Sequence, residues 1–206
     1  DWTPTATNTA GDIRLNNGSE IIASHETRQE ILVWTDMSLH SLRYIGPPFT
    51  LGQTVVTGTT TLASPRAMAT LNDTTMWMGS NNFYLYDGRT QTLPCTVRSY
   101  VFDDINLEER GKIFACTNSQ FNEIIWFYVS DDATEIDRYV AYNAEEKAWY
   151  FGGLTRTAWA DRTTRDYPIA ANSEDNYLYY QEKGFDDGST TPASAITAYI
   201  ESADFG

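Results

Sequence analysis

The strongest constraint on the fold is a recurring unit: two short apolar strands separated by a Gly-, Asn- or Asp-rich turn. Its clearest copy is Met76-Trp77-Met78-Gly79-Ser80-Asn81-Asn82-Phe83-Tyr84-Leu85-Tyr86-Asp87-Gly88. Aromatic and aliphatic side chains favour extended backbone, while Gly, Asn and Asp tolerate the positive φ of tight turns. The layout therefore predicts a hairpin anchored by Trp77 and closed by Asp87-Gly88. A chain that repeats such units is committed to sheet.

Weaker copies occur along the chain. Strands are expected at Asp12 to Leu15, Ile21 to Ser24, Ile31 to Trp34 and Leu39 to Ile45, ending at Gly46-Pro47-Pro48. Residues 1–10 are Thr-rich and linker-like, and 49–66 read as an extended loop with a little sheet in it. Ala67 to Leu71, the turn Asn72-Asp73 and the Trp77 hairpin follow. Lys112 to Cys116, Glu123 to Val129, Ile136 to Tyr142 and Ala148 to Phe151 continue the pattern. Tyr167 to Ala171, the turn Asn172-Ser173-Glu174-Asp175 and Asn176 to Tyr180 repeat the layout of Ala67 to Trp77, and Phe185-Asp186-Asp187-Gly188 echoes Tyr86-Asp87-Gly88.

The β-rhythm breaks once. Val97, Val101 and Ile105 recur every fourth residue, which is helical spacing, and Asn106 followed by Glu109 predicts the cap of a second short helix limited by Gly111.

Four aromatic residues, Trp34, Trp77, Trp126 and Tyr177, mark the units at separations of 43, 49 and 51 residues, each expected to pack against the next sheet. A propeller blade of four short strands takes roughly 40–50 residues. The expectation is an all-β, propeller-like repeat of about four blade-like units with a helical insertion near 97–112. A β-sandwich with evenly spaced strands is the alternative. The whole of 1–206 reads as a single β-rich domain. With Asp1 at one end and an apparent strand, Ala198 to Gly206, at the other, it is expected to belong to a longer polypeptide.

Charge narrows the function. Fourteen Lys and Arg stand against 28 Asp and Glu, a formal net charge of -14. Electrostatic binding to a phosphate backbone needs clustered cations and is disfavoured. No stretch approaches the about 18 apolar residues of a membrane-spanning helix. Cys95 and Cys116 form no Cys-x-x-Cys pair and read as free thiols.

Motifs for chemistry are sparse. The sequence has no Gly-x-Ser-x-Gly elbow, no phosphate-binding glycine loop and no Cys/His zinc spacing. His40, in Ser38-Leu39-His40-Ser41-Leu42, reads as a solvent-facing or satisfied strand histidine rather than a ligand; His25 is the other histidine. Asp103-Asp104, Asp131-Asp132 with Glu135 and Asp137, and Asp186-Asp187 offer oxygens to Ca²⁺, but none has EF-hand spacing and acidic turns are ordinary. Arg89, Arg98, Arg138, Arg156, Arg162 and Arg165 read either as surface ion pairs or as a subunit interface, where Arg and aromatics are enriched. No catalytic, cofactor-binding or metal-ligating residue is assigned, and no enzyme activity is expected.

One resemblance rests on particular residues. Glu30-Ile31-Leu32-Val33-Trp34-Thr35-Asp36 precedes a Thr/Gly-rich stretch, then Ala63-Ser64-Pro65-Arg66, Met76-Trp77-Met78-Gly79 and Phe83-Tyr84-Leu85-Tyr86-Asp87-Gly88. Leu93-Pro94-Cys95-Thr96-Val97-Arg98-Ser99-Tyr100-Val101-Phe102-Asp103-Asp104-Ile105-Asn106 continues it. Across about 30–200 the chain resembles the β-propeller region of tail hub (nozzle) and packaged-DNA stabilisation proteins of short-tailed bacteriophages. The resemblance implies a virion component made in the host bacterial cytoplasm. It would form a ring with copies of itself, commonly six-fold, below the portal, hold adaptor and fibre proteins, and let genomic DNA pass without specific binding during ejection. It implies no membrane partner, no cofactor and no catalytic residues. Family members are usually much longer. An acidic lumen would repel DNA and let it slide. A carbohydrate-binding or glycoside-hydrolysing propeller is the alternative, with carboxylates and stacking aromatics as its tools; a cell-surface or periplasmic propeller scaffold is a third.

Overall fold

In a computed structural model, residues 3–5, 7–8, 10–58, 60–172, 174–184 and 194–195 are described. Four small antiparallel sheets follow one another along the chain, each a simple meander. The first holds β1 (Ile21–Glu26), β2 (Ile31–Thr35), β3 (Leu39–Gly46) and β4 (Thr50–Thr57). The second holds β5 (Met68–Leu71), β6 (Thr74–Met78), β7 (Phe83–Tyr86) and β8 (Thr90–Leu93). After helix α1 (Arg98–Asp104), the third holds β9 (Phe114–Asn118), β10 (Glu123–Tyr128), β11 (Arg138–Asn143) and β12 (Ala148–Gly153). Among the described residues, three strands form the fourth: β13 (Ala158–Ala160), β14 (Ile169–Ala171) and β15 (Leu178–Tyr180).

The sheets are arranged as consecutive propeller blades, with their first strands side by side. His25 of β1 bonds Thr70 of β5 at 2.7 Å. Arg66, just before β5, bridges Phe114 of β9 in parallel, and its carbonyl accepts from the Ala115 amide at 2.8 Å. Thr117 of β9 donates to Asp161, next to β13, at 2.9 Å. The fold is the all-β, propeller-like row that the repeat predicts.

Each junction between sheets has its own core. Leu32, Trp34, Leu39, Trp77 and Tyr86 fill the first. Met76, Met78, Phe83, Trp126, Tyr128 and Val140 lie in the second, together with Val101 of α1. Phe114, Phe127 and Ile136 occupy the third, with Trp159 packed against them. Indole N–H groups stitch neighbouring sheets: Trp126 donates to the Ala67 carbonyl at 3.1 Å and Trp159 to the Thr117 carbonyl at 2.9 Å.

The aromatic anchors are not equivalent, and this corrects the expectation that each packs on the next sheet. Trp34 does so, meeting Trp77 edge-on at 5.5 Å. Trp77 and Trp126 instead pack back on the preceding sheet, Trp126 lying 4.9 Å from Phe83. Successive strand residues face opposite ways, and Trp34 stands four residues after Glu30 at its turn whereas Trp77 and Trp126 stand three after Thr74 and Glu123 at theirs, so its side is reversed. Tyr177 is no anchor: it follows the positive-φ Asn176, precedes β15 and is 67% exposed. Trp159, on the first strand of its sheet, takes that place.

Other expectations are corrected in detail. Asp12 to Leu15 forms no strand; the adjoining Asn17 carbonyl accepts from the Thr35 and Ser38 hydroxyls, laying this segment over the first sheet. Residues 50–57 form a full strand rather than a loop holding a little sheet, laddered antiparallel to β3 from Thr50 opposite Gly46 to Thr57 opposite Leu39. Thr90–Leu93, to which the sequence reading gave no element, is β8. The expected second helix is only a single 3₁₀ turn at Arg110–Lys112: Asn106 Oδ1 accepts from the Glu108 amide at 3.0 Å, closing a local turn in place of a helix cap. The first helix conforms, with Val101 and Ile105 buried and Val97 packed beside them. Phe185 to Gly188 and Ala198 to Gly206 lie outside the described residues, as does Ser173 within its expected turn.

Candidate functional site

The most completely built polar site lies where the first two sheets meet. Glu30 sits between the end of β1 and the start of β2, 8% exposed, on the side facing the second sheet. Strand alternation puts Ser41 and Arg43 of β3 on that same side, and Tyr86 of β7 approaches from across the junction. The Ser41 hydroxyl donates to Glu30 Oε2 in a short contact, and Arg43 Nε donates to the same oxygen at 3.3 Å. Tyr86 donates to Oε1 at 2.7 Å.

The electrostatics follow from these contacts. Burial works to raise the Glu30 pKa, but the hydrogen bonds from Ser41, Tyr86 and Arg43 together outweigh it and hold the carboxyl below its ordinary value. Glu30 is therefore an anion at neutral pH. Burial first, then the Glu30 acceptor, pushes the Tyr86 phenol up to about 12, so it stays a donor. Hydrogen bonding to Glu30 raises the Arg43 guanidinium. Two open clefts flank the cluster. One, of about 190 Å³, is bordered by Arg28 and Asp73, which pair at 3.0 Å; the other, of about 390 Å³, is bordered by Val55 and Arg89. A carboxylate saturated by three donors is a joint between sheets; its lone pairs and low pKa suit it poorly to accepting a substrate proton near neutrality.

The residues weighed from sequence are dispersed. His40 is fully buried, its ring nitrogens bonded to Ser38 at 2.8 Å and to Gln53 at 2.8 Å, so it is a satisfied strand histidine. Burial lowers the pKa of His25. Cys95 is half-buried and Cys116 buried; both are free thiols that burial pushes up.

The acidic groups are largely engaged. Asp137 accepts from the Ser130 amide and hydroxyl, Glu135 pairs with Lys112 at 2.9 Å, and Asp104 lies 3.7 Å from Arg138. Asp103 and Asp131 border a shallow groove beside α1 with Leu107, and Asp186-Asp187 lies outside the described residues. Among the described residues, no three His, Cys, Asp or Glu side chains gather to hold a metal ion.

The arginines are scattered too. Arg98 bonds the Asn81 carbonyl, Arg156 lies over the Tyr179 ring at 4.8 Å, and Arg162 and Arg165 border an open groove with Tyr167. The Glu30 cluster was not singled out from sequence. Its members are up to 56 residues apart, and only the sheet-to-sheet docking joins them.

No protein-family model and no curated protein sequence matches the chain. Among solved structures, it is similar to the extracellular domain of the putative one component system BT4673 from B. thetaiotaomicron. The TM-score is 0.47 at 14% identity, and 82% of this chain and 23% of that chain are covered. The chain thus spans less than a quarter of the length of that solved chain.

Proposed function

We propose that the chain is a structural component of a short-tailed bacteriophage tail, in the hub or nozzle, which assembles with further copies into a ring continuing the DNA channel. It acts by assembly and performs no catalysis. One observation carries this reading: apolar side chains are exposed at both ends of the row of sheets. Tyr44, Ile45 and Phe49 protrude on the β3–β4 hairpin of the first sheet, and Tyr177, Leu178 and Tyr180 lie exposed on the last. Exposed apolar groups gathered on a chain of net charge -14 mark places where another protein is received. The two patches differ in composition, and unlike surfaces associate head to tail, which closes a ring when the rotation allows. The sequence resemblance supplies the setting, and the acidic charge suits a lumen through which DNA slides.

Mass spectrometry of purified virions, with light scattering on the isolated protein, tests the reading. Peptides of this chain in the particle at a fixed stoichiometry are the expected result. Absence from virions, together with saccharide binding on a glycan array, would replace it with the carbohydrate-acting alternative.

A further inference from the structure

The outer edge of the first sheet is unguarded. β4 is the last strand of that sheet, and among the described residues no strand pairs with its free side. It runs for eight residues, Thr50-Leu51-Gly52-Gln53-Thr54-Val55-Val56-Thr57, with no Pro and no charge. Natural sheets blunt such edges with Lys, Pro, short strands or a covering element, because the unpaired N–H and C=O groups invite another strand. The second and third sheets follow that rule. β8 has four residues, set between Arg89 and Pro94. β12 has α1 beside it, with the Tyr100 ring 4.1 Å from that of Phe151.

Register and charge then say what fits the open edge. Bulges interrupt the β3–β4 ladder towards its two ends, between Leu39 and His40 and between Tyr44 and Gly46. The run between them, Leu51 to Val55 on β4, is regular and centred on Gln53. Thr54, opposite Ser41, faces the second sheet, so Leu51, Gln53 and Val55 face away from it. Leu51 and Val55 are exposed there. From Met37 to Pro65, Arg43 is the only Asp, Glu, Lys or Arg residue in a chain of net charge -14. Two such chains repel one another, and this stretch is where they can meet without opposed carboxylates. A cationic partner finds no acidic side chain on it.

We propose that β4 pairs antiparallel with β4 of a second copy, about a two-fold axis through Gln53. Each Leu51 then stands opposite the other copy's Val55, Gly52 opposite Thr54, and Gln53 opposite Gln53. Apolar side chains meet apolar ones and no like charges are opposed. A two-fold contact of this kind is self-complementary. It turns two four-stranded sheets into one continuous sheet, held by main-chain hydrogen bonds. The antiparallel direction leaves the two hairpin tips at opposite ends of the joined strands. The pairing stands whether or not the chain belongs to a virion.

Sedimentation of the whole chain over a range of concentrations tests the contact. Val55→Lys sets a cation against Leu51 and blunts the edge, and is expected to halve the mass of the assembly whatever other contact the copies make. Phe49→Ser, at the tip, is expected to leave the β4 pairing intact. Gln53→Cys puts two thiols across the axis within reach of a disulfide, so mild oxidation should link two copies, whereas Leu51→Cys should not link. Oxidised wild type controls for Cys95 and Cys116, and the cysteine comparison decides should Val55→Lys disturb the fold. A wild type that sediments as a monomer up to about 100 μM would overturn the pairing. So would a mass that folded Val55→Lys leaves unchanged, or Leu51→Cys linking as readily as Gln53→Cys.

Discussion

Glu30 and Glu123 occupy matching places: Glu30 immediately precedes the second strand of its sheet and Glu123 opens the second strand of its own, each is 8% exposed, and each faces a neighbouring sheet. Their chemistry diverges. Glu30 is met by Ser41, Tyr86 and the cation Arg43, so its charge strengthens the first junction. Glu123 is met by Tyr150, the Asn118 amide and the carboxylate of Glu182, just beyond β15, so its charge loads the third junction with repulsion. The same residue at the same place in a repeat can therefore lock or loosen a contact. The partner delivered by the next sheet decides which.

Substitutions can separate the apolar and polar parts of this contrast. The largest effect is expected from Trp77→Ala, which empties the centre of the first junction and costs about 3–5 kcal/mol in urea unfolding. A loss below 1 kcal/mol would mean that the polar joint alone carries the junction.

Glu30→Ala comes next. It strands the buried Tyr86 and Ser41 hydroxyls and unpairs Arg43, for a loss of about 2–3 kcal/mol on the same measurement.

Glu182→Gln, at pH 7, should act in the opposite direction and raise Tm by no more than about 2 °C, because an exposed carboxylate is well screened. The pH dependences also oppose each other. Glu182 is raised, so its penalty is absent at low pH and grows as pH rises from the ordinary carboxylate range through its folded value. Glu30 is depressed, so its stabilisation is complete above the ordinary range and is lost as pH falls through its folded value. Lowering the pH should first tighten the third junction and then weaken the first. Melts of wild type and Glu182→Gln at a series of pH values should therefore converge as the medium is acidified, and parallel curves would refute the assignment.

The smallest effect is expected from Arg28→Ala. Its pair with Asp73 is exposed on both sides, and its loss should cost less than about 0.5 kcal/mol.

Local features were legible in the sequence because their causes are local. Asn72 and Asp73 both adopt positive φ, as their side chains permit, and Gly88 does the same after Asp87. On the helical face, Val101 and Ile105 are buried and Val97 is partly buried beside them, as the spacing requires. What escaped depends on distant partners. The Asn106 cap lost to a local turn, and the direction of Trp34 was set by a one-residue offset that spacing near 45 residues does not resolve. The Glu30 joint and the Glu123–Glu182 pair arise only when separate sheets dock, so neither leaves a motif in the sequence.

The division of the interior into three separate apolar clusters has a consequence for unfolding. A row of units that touch only their neighbours behaves as a one-dimensional array, in which cooperativity is the sum of nearest-neighbour couplings. Among the described residues the fourth sheet has three short strands and one repulsive contact, so it should yield before the second and third sheets do. The calorimetric enthalpy of the chain should then exceed the van't Hoff value, and a single all-or-none free energy would understate how firmly the central sheets hold together.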